Sequence, residues 1–217
     1  MTLNRSLLAA SLGAALALPL RAQTTAADSA MVRRADHARI EGSAAAPVWL
    51  IEISDFQCPY CRLWHEKTYP LVMKEYVEAG KVRLAYINFP LAMHKNAMPA
   101  AEAAMCAAAQ EKFWPMQDAL FNAQDAWEKL ANPAPVFDSL AKAAGVNVPA
   151  MRKCIAGGVM KNLIAGDIDR AKTQGVGSTP SFMIPGLPGL IAGAQPIENF
   201  REALDSALGR AATAPKH

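Results

Sequence analysis

The stretch SDFQCPYCRLWHEKTYP, Ser54–Pro70, sets the tightest limit on what this chain can fold into. It holds two of the chain's four cysteines, with two residues between them; an apolar β-rich run precedes them and a helical pattern follows. Pro59 is the informative residue. Proline is favoured at the first position of a helix, where its missing N–H and fixed φ cost nothing. That makes Cys58 the predicted N-cap, its sulfur facing the free N–H groups of Tyr60 and Cys61 and the positive end of the helix dipole. A thiolate is favoured there, and each pKa unit of depression is worth about 1.4 kcal/mol. Cys61 lies one turn on and is predicted to point inward, so the pair reads as an exposed nucleophile with a sheltered resolving partner.

Other uses of two thiols at this spacing can be weighed on the same stretch. Haem attachment needs His directly after the second cysteine, and the residue there is Arg62. Zinc has more to stand on, because His65 would complete C-x2-C-x3-H, although no fourth ligand lies near. The plainer reading of His65 is a polar residue on the helix surface. A permanent staple across two residues would restrain the unfolded chain little. Glu52 favours exchange chemistry. It interrupts an otherwise apolar strand six residues before Cys58, where a carboxylate is costly unless it has a partner or a task. The task would be proton transfer beneath Cys61; the alternative is a solvated carboxylate at a sheet edge.

The run PVWLIEIS, Pro47–Ser54, is predicted to be a central strand. A helix from Cys58 to about Ala79 follows, kinked at Pro70 and ended by Gly80, and then a second strand, Lys81–Phe89. Strand, crossover and strand predict a parallel pair. From Met93 to about Lys172 strand-type runs vanish, alanine dominates, and four or five helices are expected. Strand character returns at PSFMI, Pro180–Ile184, before a turn at PGLPG and a last helix, Pro196–Leu208.

The N-terminal residues have one early base, an apolar run from Ser6 to Leu20 and small residues around Ala22. They read as a cleavable export signal, residues 1–22, since the run is short for a membrane span. A retained anchor is the alternative. Residues 23–37 lack periodicity and are expected to be a flexible leader. Removing the signal takes away Arg5 and Arg21 and lowers the net charge from +3 to +1, which suggests neither a nucleic-acid nor a strongly acidic partner.

SDFQCPYC after an apolar strand resembles the DsbA-like branch of the thioredoxin superfamily. GVGSTPSFMI, Gly175–Ile184, resembles that family's loop with a cis-proline at Pro180, and QEKFWPMQDALF resembles its helical insert; together the similarity covers roughly Arg39–Leu208. The resemblance implies an α/β thioredoxin-like fold with an inserted helical subdomain. Its first sheet part would span 38–91, the insert 92–174 and the second sheet part 175–209, with a flexible tail at 210–217. It also implies thiol-disulfide exchange on exported, periplasmic substrates, most simply as a disulfide donor. Cys58 and Cys61 would be catalytic, supported by Glu52, Pro59, Tyr60, Thr179 and Pro180, with Pro180 packed on the pair and the Thr179 backbone pairing with an extended substrate.

No cofactor is implied. The partners would be unfolded or partly folded exported proteins and a membrane redox partner that resets the pair. Tyr60 departs from the Pro-His of strongly oxidising members and adds no positive charge, so a reductase or isomerase like DsbG or ScsC is the alternative direction. Those with a separate dimerisation domain have more chain before the sheet than is present here, so a monomer is expected. Cys106 and Cys154 fall in the helical block and read as a structural disulfide in an oxidising compartment, as in some relatives, or else as two buried thiols. Met93, Met98, Met105 and Met116 suggest either a copper-stress module or, more simply, core and apolar surface.

Overall fold

The run at 47–54 becomes the centre of a mixed sheet. The computed structural model describes residues 26–213, so the expected export signal at 1–22 and the last four residues lie outside the described part. In chain order come α1 Ala26–Ala38, β1 Ile40–Glu41, β2 Val48–Ser54, α2 Pro59–Lys67, α3 Tyr69–Val72, a π-helical turn Met73–Val77 and β3 Val82–Asn88. The inserted block follows: α4 Ala97–Ala108, α5 Phe113–Asn122, α6 Gln124–Trp127, α7 Ala134–Ala143, α8 Val148–Ala156 and α9 Lys161–Thr173. The chain then returns through β4 Ser181–Met183, β5 Ile191–Ala192 and α10 Ile197–Thr213.

Strand order is β1-β3-β2-β4-β5. β2 and β3 are parallel, in register from Val48↔Val82 to Ser54↔Asn88, and the other pairs are antiparallel. Parallel pairing brings the loops that leave β2 and β3 to one end of the sheet, where the CPYC segment meets the helical block. One core lies between the sheet and α2 and α10, where Leu50, Leu84 and Phe182 meet Trp64, Phe200 and Leu204. The other fills the helical block and takes in Phe56, Cys58, Cys61 and Tyr86, so both thiols sit on the seam between the two parts.

Four expectations need correction. Residues 26–38 of the expected leader and its border form α1, whose Ala35 is fully buried and whose Arg34 donates to Ala109 O at 2.9 Å. Met31, Ala35 and Ala38 pack against the insert at i, i+4 and i+7; alanine is too small to mark that face in a hydropathy pattern. The single kinked helix is split at Thr68, since Pro70 cannot donate the bond that would continue α2. The block has six helices, because the short α6 adds one. The tail expected to fray from 210 stays helical to Thr213.

A buried polar cluster ties the parts together. Asp167 on α9 accepts from Arg39, between α1 and β1, from Asn88 Nδ2 of β3 at 2.8 Å and from Arg170 at 2.6 Å. Asp167 is fully buried, and removing one partner of such a pair costs about 3–5 kcal/mol.

Candidate active site

Cys58 is the N-cap of α2, with Pro59 at its first position. As a thiol it makes no capping bond and instead donates from Sγ to Thr179 O at 3.3 Å, across 121 residues of sequence. The Thr179–Pro180 peptide is cis and both residues are buried. Cys61 is fully buried, with Asp55 N–H aimed at its sulfur at 3.5 Å. Cys58 is only 4% exposed, less open than the sequence reading had it, because the Thr179–Pro180 segment covers it. Both cysteines are free. Beside them Tyr60 projects into solvent, 62% exposed.

The two thiols differ electrically. Cys58 is pulled down to about 6, first by a hydrogen bond from the Cys61 thiol and then by Thr179 and the N–H groups of Cys61 and Tyr60, against burial that opposes ionisation. Cys61 is pushed well above the ordinary thiol range, mainly by burial and then by Cys58 beside it. Glu52 is no edge residue: it lies on the central strand, fully buried, and burial raises its pKa to about 8. Ser54, next on the same face of β2, lies close enough to favour the ionised forms of both Glu52 and Cys61 without a fully formed hydrogen bond. A carboxyl group, a hydroxyl and the sheltered thiol therefore follow one another along one strand face and into α2.

Several residues that frame the site were missed in the sequence. Asp55 N–H meets Cys61, its carbonyl accepts from Cys58 N at 3.0 Å, and its carboxylate accepts from Gln57 N at 2.7 Å and Leu91 N at 2.9 Å. Gln124 on α6 donates to Phe56 O at 2.7 Å and Cys58 O at 3.1 Å. Gln57 and Asn96 link the same turn to the block: Gln57 donates to Glu128 O and accepts from Asn96 N. The available signal was polar residues amid apolar ones, which does not say what they contact.

His65 is not on the helix surface. It is 6% exposed, stacked on Tyr69 and tilted against Phe121, with Nε2 3.3 Å from Asp118. Among the described residues no three His, Cys, Asp or Glu side chains converge as a metal site. Met105 and Met116 are core residues, whereas Met93 and Met98 are exposed. Cys106 and Cys154 form a disulfide between α4 and α8, with Cα atoms 5.9 Å apart.

The family described as Thioredoxin matches residues 34–206 of this chain. The chain is 30% identical over 148 residues to a probable disulfide bond formation protein D of Bacillus anthracis, covering 67% of this chain and 68% of that protein. It is 34% identical over 152 residues to the Na(+)/H(+) antiporter NhaA 3 of Salinispora tropica, covering 70% of this chain but only 22% of the antiporter. The crystal structure of Wolbachia pipientis alpha-DsbA1 has a similar fold, with a TM-score of 0.71 and 24% identity over 80% of this chain and 92% of that one.

Proposed function

Because the chain belongs to the family described as Thioredoxin, and is a DsbA-like thiol:disulfide oxidoreductase within it, we propose that it runs in the oxidising direction and donates disulfides to exported proteins as they fold. The observation that carries this reading is the placement of Cys58 Sγ at a helix N-terminus, beside the Cys61 thiol and the N–H groups of Cys61 and Tyr60, where its anion is favoured down to about 6. A stable Cys58 thiolate stabilises the reduced pair, and a couple whose reduced form is stabilised is a strong oxidant.

Starting from the Cys58–Cys61 disulfide, a substrate thiolate attacks Cys58, forming a mixed disulfide and expelling Cys61 as a thiolate. Cys61 strongly favours its proton, and Glu52, neutral below about 8, supplies it by way of Ser54. A second substrate thiolate then attacks the substrate sulfur of the mixed disulfide and expels the Cys58 thiolate, so two electrons pass from the substrate dithiol to the pair. The backbone of Thr179, beside Cys58, offers a β-type edge to the substrate chain. The chain acts as a monomer outside the cytoplasm once residues 1–22 are removed, and a membrane redox partner re-oxidises the pair.

Tyr60 favours a second reading, a reductase or isomerase, since an exposed neutral ring adds no charge beside the thiolate. The equilibrium of the pair with glutathione separates the two. A potential near about −120 mV, above about −180 mV, supports the oxidase, and one at or below about −200 mV moves the function to the reducing side.

A further inference from the structure

The turn that carries the two thiols hangs from one residue. Asp55 contributes its N–H to Cys61 Sγ at 3.5 Å, its carbonyl to Cys58 N at 3.0 Å and a carboxylate oxygen to Gln57 N at 2.7 Å. The other carboxylate oxygen accepts from Leu91 N at 2.9 Å and lies 2.7 Å from His94 Nδ1. A carboxylate only accepts, so the imidazole is the donor. Asp55 has a fully buried side chain, and His94 is held in its own loop by bonds from its N–H to Leu91 O at 2.9 Å and from Ala97 N to its carbonyl at 3.1 Å.

We propose that His94 is a positioning residue for thiol-disulfide exchange: by donating from Nδ1 to Asp55 it fixes the 55–58 turn and so sets how far the Cys58–Cys61 pair favours its reduced form. The proposal rests on the oxidoreductase reading of that pair. A buried acceptor that loses a donor costs about 1–3 kcal/mol, more when charged, so without His94 the Asp55 carboxylate reorients toward other donors or water. The bonds to Gln57 N, Cys58 N and Cys61 Sγ pass through the same residue and loosen with it. A disulfide carries no charge for the N–H groups of Tyr60 and Cys61 at the start of α2 to stabilise, whereas the reduced pair carries the Cys58 thiolate, which a loosened 55–58 turn holds less well against them. The loss therefore falls on the reduced form, and the couple becomes more reducing.

The test is the equilibrium constant with glutathione, read by alkylation and mass with Cys106–Cys154 intact, for wild type, His94→Ala, His94→Asn, Asp55→Asn and the double variant Asp55→Asn/His94→Ala. His94→Ala is expected to shift the constant about tenfold toward the oxidised pair, which is about 30 mV more reducing. In His94→Asn the side-chain amide nitrogen can stand near where Nδ1 stood and still donate, so this variant is expected to stay within about twofold of wild type. Asp55→Asn is expected to shift as His94→Ala does, and the double variant no further than the larger single, because both remove one bond. His94→Ala at the wild-type value, His94→Asn displaced as far as His94→Ala, or additive single shifts would each overturn the proposal. A role in folding alone would lower the unfolding midpoint without separating the potentials of His94→Ala and His94→Asn. If His94→Ala does not fold, His94→Asn against Asp55→Asn carries the same comparison. Wild-type protein that does not exchange with glutathione at all would overturn the oxidoreductase reading itself; normal wild-type exchange with unmoved variants would overturn only the role of His94.

Discussion

Cys58 and Cys61 are three positions apart, unbonded, and set in a turn at the end of the sheet, while Cys106 and Cys154 are 48 apart, bonded, and buried between two helices of the insert. In the chain-entropy account, closing the long loop restrains the unfolded chain by about 4 kcal/mol and closing the short one by about 2. The short pair gains less from bonding, and its reduced form has something to gain in return: the thiolate of Cys58 is held by a neighbouring thiol, by Thr179 and by a helix N-terminus. Cys106 and Cys154 are packed among alanines, whose side chains offer no donor. The same side chain is thus a reagent in one region and a tie in the other.

The largest effect that would break this contrast is on release of the mixed disulfide. Cys61→Ser leaves Cys58 without a partner for the active disulfide, so it is expected to abolish turnover, a loss of more than about a thousandfold, and, given oxidised glutathione, to accumulate a Cys58–glutathione mixed disulfide as one glutathione thiolate leaves, an adduct visible by mass that no second active-site thiol can displace. Absence of adducts would remove the active role from the short pair. Replacing Cys106 and Cys154 by alanine is expected to lower stability by about 4 kcal/mol in urea unfolding while exchange by the folded protein stays close to wild type.

Glu52→Gln is expected to slow formation of the mixed disulfide, the step that expels Cys61, by about a hundredfold, measured in single-turnover exchange, and to change stability with pH. The folded carboxyl titrates near about 8, above its unfolded value, so its contribution is complete below the unfolded value and is lost as pH rises through 8. The variant should lack that decline, which spans the range from the unfolded carboxyl value up to about 8. Cys58 runs the other way. Its lowered value stabilises the reduced protein above the unfolded thiol range, and that advantage is lost as pH falls through about 6. Comparing reduced and oxidised protein below the ordinary thiol range isolates it, since Glu52 is common to both and Cys61 keeps its proton there, and the thiolate absorbance should titrate with a midpoint near 6. The smallest effect is expected from Tyr60→His, which brings a cation to the thiolate and should make the pair more oxidising by about tenfold in its glutathione equilibrium.

The parts legible in sequence were those with a local cause. Pro59 after Cys58 marked the start of a helix, the apolar run before it marked a buried strand, and Glu52 stood out because nothing around it was polar. Reading Thr179 and Pro180 into the site took a resemblance, since 121 residues separate Thr179 from Cys58. Asp55, His94, Gln57 and Gln124 were missed for the same physical reason. Their meaning lies in a hydrogen-bond partner on another element, and polar residues in loops or at the start of a one-turn helix carry no period from which to infer one. α1 was missed because its buried face is made largely of alanine.

Gln57, Asn96 and Gln124 bear on how the molecule can be taken apart. Gln124 holds the carbonyls of Phe56 and Cys58 from the insert, and Gln57 reaches back to Glu128 and Asn96. The helical block is therefore no detachable cap over a finished reaction centre. A chimera that grafts this block onto a foreign sheet, or trims it away to make a minimal enzyme, would have to carry the 55–58 turn as part of the transplant, because the seam runs through the peptide groups that present the sulfur.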